Sequence, residues 1–227
     1  MGDPNEEHLV KLLKVEYVTH DVKRFTLSRP ENYPFKPGQA TDIVINDPDW
    51  KEERRPFTFT GLSDWDTLEF TIKIYDEHNG VTSQLGKLQP GAELILHDVW
   101  GAITYHGEGT FIAGGAGVTP FIAIFRQLKA EGKLANNQLI FSNKTSADII
   151  LQEEFSTMLG NYFVNTLSQE KDSRYQYGII DADFLNRNIQ GKNQYFYICG
   201  PDAMIDSIAG HLKEMGVDEK KIIREEF

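Results

Sequence analysis

The chain has 227 residues and a formal net charge of −11, with 40% hydrophobic and 25% charged residues. This length allows one large domain or two small ones. The acidic balance argues against nucleic acid as a partner, because a phosphate backbone requires a basic surface. The single cysteine, Cys199, excludes an internal disulfide framework and a four-cysteine iron–sulfur site within the chain. No metal site is predicted. The polar start and the lack of an apolar run near the ~18 residues of a membrane helix favour a cytoplasmic protein without a membrane span.

The first half of the chain has the pattern of short β-strands. Between residues 9 and 105, apolar and polar residues alternate with period two, and turn-forming sequences separate the segments. The predicted strands are residues 9–18, 23–28, 41–45, 57–62, 68–75 and 93–99. Short strands at this spacing predict an antiparallel sandwich or barrel.

From about residue 109 the pattern changes to strands that alternate with helices. A buried strand at 110–115 ends in glycines, and an amphipathic helix at 121–132 follows it. The later predicted strands are 137–142, 162–167, 194–200 and 220–227, and the later helices are 150–159, 181–188 and 202–216. This alternation predicts a parallel sheet covered by helices. We therefore expect two domains, residues 1–106 and 107–227.

The loop GGAGVTP, residues 114–120, follows a buried strand and opens a helix. In an open α/β sheet, ligands bind beyond the carboxyl ends of the strands. Glycines let the backbone approach a pyrophosphate, and a helix N-terminus attracts anions. A tight strand-to-helix turn without a ligand would have the same pattern, so the loop alone leaves both interpretations open.

Three further motifs contain residues suited to nucleotide binding. CGP, at residues 199–201, lies between a predicted strand and a predicted helix. RPFTFTG, at residues 55–61, combines an arginine with aromatic rings and hydroxyl groups. GVTS, at residues 80–83, opens a predicted helix. Arginine matches phosphate geometry, and an aromatic ring can stack on another. Each motif alone is also compatible with an ordinary strand, turn or helix cap.

Taken in order, the motifs resemble those of the ferredoxin–NADP reductase superfamily. The set is Arg-Pro-aromatic-Thr, then Gly-x-x-Ser, Gly-x-Gly-x-x-Pro and Cys-Gly-Pro, with FKPGQ at 35–39 similar to a further element of the family. The resemblance extends over residues 9–227. It implies an antiparallel β-barrel FAD domain followed by an α/β parallel-sheet domain for the nicotinamide nucleotide.

The resemblance also implies a role for individual residues. Arg55 would bind the flavin pyrophosphate, Phe57 would stack on the flavin in the usual place of a tyrosine, and Thr58 would hydrogen-bond toward flavin N5. The implied FAD-binding residues are Arg55, Pro56, Phe57, Thr58, Thr71, Ile72, Lys73, Gly80, Val81, Thr82 and Ser83. The implied coenzyme-binding residues are Gly115, Gly117, Val118, Thr119, Pro120, Ser142, Lys144, Cys199, Gly200 and Pro201.

Four residues are implied in catalysis: Thr58, Cys199, Glu225 and Phe227. Thr58 would tune the flavin, and Cys199 would pack against the nicotinamide without acting as a nucleophile. Phe227 would cover the other flavin face, with Glu225 close by.

The coenzyme and the electron acceptor are less closely defined. Ser142, Asn143 and Lys144 lie beyond the second strand of the nucleotide domain, and Arg174 with Tyr175 follows a later strand. No acidic residue replaces Ser142. This favours NADPH. The expected acceptor is a separate ferredoxin, flavodoxin or oxygenase component. Three alternatives remain: a free-flavin or ferric reductase, an electron-transfer subunit of an oxygenase complex, and a non-catalytic dinucleotide-binding module. The sequence leaves the oligomeric state open.

Overall fold

The computed structural model describes residues 7–101 and 103–224. The chain divides into two compact units, one formed by residues 1–104 and 119–127 and the other by residues 105–118 and 128–227. We describe each unit by itself. No helix in the described part of the chain combines the length and apolarity needed to cross a bilayer.

The first unit is an antiparallel β-barrel. Its strands are β1 (His8–Tyr17), β2 (Val22–Ser28), β3 (Ala40–Ile45), β4 (Arg55–Thr58), β5 (Thr67–Lys73) and β6 (Glu93–Trp100). Their order is β4-β3-β6-β1-β2-β5, and an antiparallel bridge between Phe59 and Phe70 joins the two ends of this sheet. A helix, α1 (Val81–Lys87), lies between β5 and β6 in the chain. The predicted barrel is therefore confirmed.

Aromatic side chains fill the barrel because the inward positions of the period-two pattern are large and apolar. Phe59 stacks on Phe35 with ring centroids 4.1 Å apart. The buried Tyr33 hydroxyl donates a hydrogen bond to the carbonyl oxygen of His97 at 2.6 Å, and burial raises the pKa of Tyr33 to about 12.

The FKPGQ turn requires glycine at its fourth position. Gly38 has φ +90°, and a Cβ there would lie 1.9 Å from the Ile103 carbonyl oxygen.

A β-bulge interrupts the pairing of β3 with β6. Ile43 lies opposite Leu96 and Thr41 lies opposite Val99, so one residue of β3 faces two residues of β6. One of those two is His97, which is 6% exposed and whose Nδ1 has no hydrogen-bond partner among the described residues. Burial lowers the pKa of His97.

The second unit contains a parallel sheet with helices. Its strands are β7 (Gly109–Gly114), β8 (Gln138–Asn143), β9 (Phe163–Leu167), β10 (Gln176–Tyr177), β11 (Tyr195–Cys199) and β12 (Ile222–Arg224). The helices in this half of the chain are α2 (Thr119–Ala130), α3 (Gln152–Leu159), α4 (Ala182–Asn188) and α5 (Asp202–Glu214). The strand order is β10-β9-β8-β7-β11-β12, which confirms the predicted parallel sheet.

Three local features differ from the sequence-based expectations. Strand β4 covers residues 55–58 rather than 57–62, because the chain turns toward β5 after the Phe59–Phe70 bridge. Helix α2 begins at Thr119 rather than Phe121, after a 3₁₀ turn. Strand β10 was not predicted, because its two exposed residues form no hydrophobic pattern. The division of the chain at residue 106 stays a prediction.

Candidate functional site

The order of the parallel strands reverses between β7 and β11. From β7 the chain builds the sheet outward through β8, β9 and β10, and then returns to place β11 on the other side of β7. Ala113 of β7 lies opposite Cys199 of β11, so both strands end at the same level. Such a reversal is where open α/β sheets bind ligands. Two of the predicted motifs, the 114–120 loop and the 199–201 loop, lie at this point.

The two loops meet through their backbones. A Cβ on Gly117 would lie 2.4 Å from the Cys199 carbonyl oxygen and 2.6 Å from the Gly200 Cα. A Cβ on Gly200 would lie 3.1 Å from the Gly114 backbone nitrogen. Side chains other than hydrogen would therefore separate the loops, and the glycines allow the close contact. The structure brings these predicted residues together.

Other residues of the glycine-rich loop leave room for a ligand. Gly115 has φ +51°, and a Cβ added to it would meet no atom within 4 Å. Val118 and Pro120 are buried, and Thr119 begins α2. The positive end of the helix dipole lies at this turn, which suits a pyrophosphate. Cys199 is 5% exposed and Pro201 is exposed.

The end of β8 adds a buried polar group to this edge of the sheet. Ser142 is half-buried and lies opposite Gly114, whereas Lys144 is exposed. Asn143 is 5% exposed, and its Nδ2 has no hydrogen-bond partner among the described residues. A buried donor without an acceptor costs free energy, so the amide suits a hydroxyl or phosphate oxygen of a bound nucleotide.

The barrel wall opens between its two edge strands. If the antiparallel register continued beyond the Phe59–Phe70 bridge, Thr58 would pair with Thr71 and Phe57 with Ile72. Instead β4 and β5 stand at opposite ends of the sheet order, and no ladder joins them in the described part of the barrel. The facing edges of β4 and β5 are therefore not joined by a ladder beyond the bridge, and residues 71–73, which are predicted to bind FAD, lie along this edge of β5.

The side chains at the opening differ in exposure. Phe57 and Thr58 are half-buried, whereas Pro56 is exposed. The exposed Arg55 lies 3.0 Å from the Glu53 carboxylate. Exposed ion pairs contribute little stability, so Arg55 can exchange this partner for a phosphate. Lys73, in contrast, pairs with the half-buried Asp21 at 2.8 Å.

The segment before α1 also has room. The nearest atom to a Cβ on Gly80 would be the His78 carbonyl oxygen, 4.0 Å away. Val81 and Ser83 are buried, and the Thr82 hydroxyl accepts a hydrogen bond from the Tyr75 N–H at 3.4 Å. The other two predicted catalytic residues, Glu225 and Phe227, lie outside the described residues.

Sequence reasoning missed a buried charged cluster beside the opening. Arg126 of α2 donates to the Glu69 carboxylate at 2.6 Å and to the Thr60 carbonyl oxygen at 2.7 Å. The Thr60 hydroxyl donates to Glu69 at 2.9 Å. Thr60 and Glu69 flank the bridge at which the strands part. A signal was present, because Glu69 is the one charged residue within the apolar run LEFTI.

A barrel with an open wall and a parallel sheet with glycine loops at its reversal point define a two-domain flavin oxidoreductase. The family model "Oxidoreductase FAD-binding domain" matches residues 9–105, and the model "Oxidoreductase NAD-binding domain" matches residues 111–210. The chain therefore belongs to the ferredoxin–NADP reductase superfamily. It is an NAD(P)H-dependent flavin oxidoreductase, which confirms the predicted class and the predicted FAD and NAD(P) cofactors.

Individual relatives agree with this assignment. The chain is 26% identical to NADH-cytochrome b5 reductase 1 of Homo sapiens, with 96% of this chain and 85% of that protein covered. It is 26% identical to the reductase component of propane 2-monooxygenase from Mycolicibacterium goodii, with 100% of this chain and 69% of that protein covered. A ferredoxin NADP⁺ reductase from Neisseria gonorrhoeae, solved with bound FAD and NADP, has the same fold with a TM-score of 0.83. It is 21% identical, and the match covers 96% of this chain and 98% of that one.

Proposed function

We propose that the protein passes electrons from a nicotinamide dinucleotide through FAD to a separate one-electron carrier, such as a ferredoxin, a flavodoxin or an oxygenase component. The observation that supports it most is the meeting of the two glycine loops at the strand-order reversal, where Gly117 contacts Cys199 and Gly200. A relative from M. goodii is named as the reductase component of a monooxygenase, which favours a separate acceptor.

In this proposal the barrel holds FAD at the opening between β4 and β5. Arg55 binds the pyrophosphate after it leaves Glu53, and Phe57 packs on the flavin ring system. The backbone of residues 71–73 lines the ring, and residues 80–83 lie against the phosphates. Thr58 offers its hydroxyl to the flavin. FAD held there would supply the chemistry of accepting a hydride and releasing single electrons, and the protein would supply its orientation and the surrounding electrostatics.

The second unit holds the coenzyme at the strand-order reversal. Residues 115–120 bind its pyrophosphate, and the buried Asn143 amide donates to a ribose or phosphate oxygen. Cys199 packs against the nicotinamide and sets its approach, and Gly200 and Pro201 shape the crevice. Cys199 needs no nucleophilic role, because hydride transfer requires no covalent intermediate with the protein.

The first experiment is a visible absorption spectrum of the purified protein, followed by anaerobic addition of NADH and then NADPH. We expect oxidised flavin absorption that either coenzyme bleaches, and rapid electron transfer onward to a ferredoxin or flavodoxin. No flavin, and none retained after FAD is added, would contradict the proposal. Rapid reduction of added riboflavin by a colourless protein would instead favour a free-flavin reductase.

A variant tests the position assigned to Cys199. We expect Cys199→Ser to slow flavin reduction by about tenfold or more, because the smaller hydroxyl alters the packing that orients the nicotinamide. FAD should remain bound, since Cys199 belongs to the other unit. Stopped-flow single-turnover reduction measures the rate. An unchanged rate would remove this role.

A further inference from the structure

A carboxylate reaches the end of β8 from the next loop of the sheet. Glu170, three residues beyond β9, accepts a hydrogen bond from the Ser146 backbone N–H at 2.6 Å. Both of its carboxylate oxygens also lie 3.0 Å from the Ser146 hydroxyl. Ser146 itself follows β8 by three residues. Glu170 therefore occupies the backbone and side-chain donors of Ser146 at this edge.

This edge is where the adenosine half of a dinucleotide is expected. In doubly wound sheets the ribose 2′-oxygen lies beside the end of the second strand, where an acidic residue binds a free 2′-hydroxyl and an arginine accommodates a 2′-phosphate. Strand β8 is the second strand of this sheet, and its Ser142 lies opposite Gly114 at the start of the glycine-rich loop. The Ser146 backbone N–H and hydroxyl, which a 2′-phosphate could use as hydrogen-bond donors, already bind the Glu170 carboxylate.

The nearby charges add to this effect. Arg174, which the sequence offered as a phosphate-binding cation, pairs with Asp172 through its Nη2 at 2.7 Å and its Nε at 3.1 Å. The Arg174 side chain holds the pKa of Asp172 at about 2, so this carboxylate stays charged at neutral pH. Asp148 accepts from the Thr145 hydroxyl at 2.7 Å. Two carboxylates, those of Glu170 and Asp148, therefore bind at Ser146 and its neighbour Thr145, and the guanidinium of Arg174 is already paired.

We infer that Glu170 makes the enzyme select NADH over NADPH. Its carboxylate repels a 2′-phosphate and occupies the donors of Ser146, while it can accept a hydrogen bond from a free 2′-hydroxyl. The inference rests on the proposed function and reverses the sequence-based expectation of NADPH. That expectation rested on the residues that directly follow β8 and on Arg174, and it did not consider Glu170 in the loop after β9.

Coenzyme kinetics with the FAD-loaded enzyme and ferricyanide as acceptor test the inference. We expect kcat/KM for NADH to exceed that for NADPH by about tenfold or more. Glu170→Gln should raise the ratio of kcat/KM for NADPH to kcat/KM for NADH by about tenfold. The matched control is Glu153→Gln, which makes the same charge change at an exposed position of α3 and should leave the ratio unchanged.

Calorimetric binding of 5′-AMP and 2′,5′-ADP provides a readout that does not depend on activity. The wild-type protein should bind 5′-AMP more tightly, and Glu170→Gln should gain affinity for 2′,5′-ADP alone. Glu170→Ala is a second variant with the same expected direction, should the glutamine variant not fold. Equal use of both coenzymes by the wild type, or a ratio in Glu170→Gln equal to that of the control, would overturn the inference.

The two measurements separate the two proposals. If neither coenzyme reduces the flavin, but 5′-AMP binds more tightly than 2′,5′-ADP and Glu170→Gln gains affinity for 2′,5′-ADP, the proposed function fails and the role of Glu170 stands. If both coenzymes reduce the flavin equally and both ligands bind equally, the proposed function stands and the role of Glu170 fails.

Discussion

Replacing Arg126 with methionine removes one partner of a buried ion pair. The side chains of Arg126 and Glu69 are 11% and 9% exposed, so the variant leaves a carboxylate with little access to water. Breaking such a pair costs about 3–5 kcal/mol of unfolding free energy. In the variant, Glu69 keeps its hydrogen bond from the Thr60 hydroxyl, and the Arg24 Nε lies 3.7 Å from its carboxylate. We therefore expect the loss of unfolding free energy to be near the lower limit, about 3 kcal/mol.

Urea denaturation followed by tryptophan fluorescence measures this loss. A double variant, Arg126→Met with Glu69→Gln, should be more stable than the sum of the single losses predicts, because it leaves no charge buried alone. The matched control is Arg174→Met, which breaks an exposed pair and should change the midpoint little. A loss below about 1 kcal/mol for Arg126→Met, or strictly additive losses in the double variant, would refute the reasoning.

Three other predictions follow from contacts described above or from similar ones. Gly117→Ala places a Cβ 2.4 Å from the Cys199 carbonyl oxygen, and it should cost about 1–3 kcal/mol and weaken dinucleotide binding, both visible in thermal shift with and without coenzyme. Tyr197→Phe removes a buried hydroxyl that accepts from two backbone N–H groups and donates to the Gly107 carbonyl oxygen at 2.8 Å, so denaturation should show a loss of about 1–3 kcal/mol. Burial lowers the pKa of His97, so protonation favours the unfolded chain and stability should fall as pH drops below the ordinary value of 6.5; His97→Gln should lose this dependence in pH-resolved denaturation.

The fold class could be predicted from the sequence because the hydrophobic periodicity of each half is contained in short segments of neighbouring residues. The alternation in 9–99 and the strand–helix rhythm after 109 are visible in short windows. The glycine-rich loop and the Cys-Gly-Pro loop were found for the same reason, since glycine and proline mark strand ends. Their meeting at β7 and β11 depends on the strand order, which the sequence alone leaves open.

The parts that sequence reasoning missed depend on long-range pairs. Glu69 and Arg126 are 57 positions apart, and Ser146 and Glu170 are 24 apart, so no short window contains either contact. Arg55 and Lys73 illustrate the reverse case. Their residue types favour phosphate, but the structure pairs each with an acid, Glu53 or Asp21, so residue type alone overstates the free positive charge.

The strand-order reversal has a consequence for how the protein folds. Strand β7 ends at Gly114, and its neighbour β11 begins at Tyr195, so the two loops that meet at Gly117 become neighbours only after a long stretch of chain has been made and placed. Contacts of high sequence separation form slowly, because loop closure costs entropy before the contact stabilises it. During synthesis, the barrel strands and the glycine-rich loop are complete long before Cys199 emerges. The nucleotide crevice is therefore among the last parts of the molecule to acquire its shape.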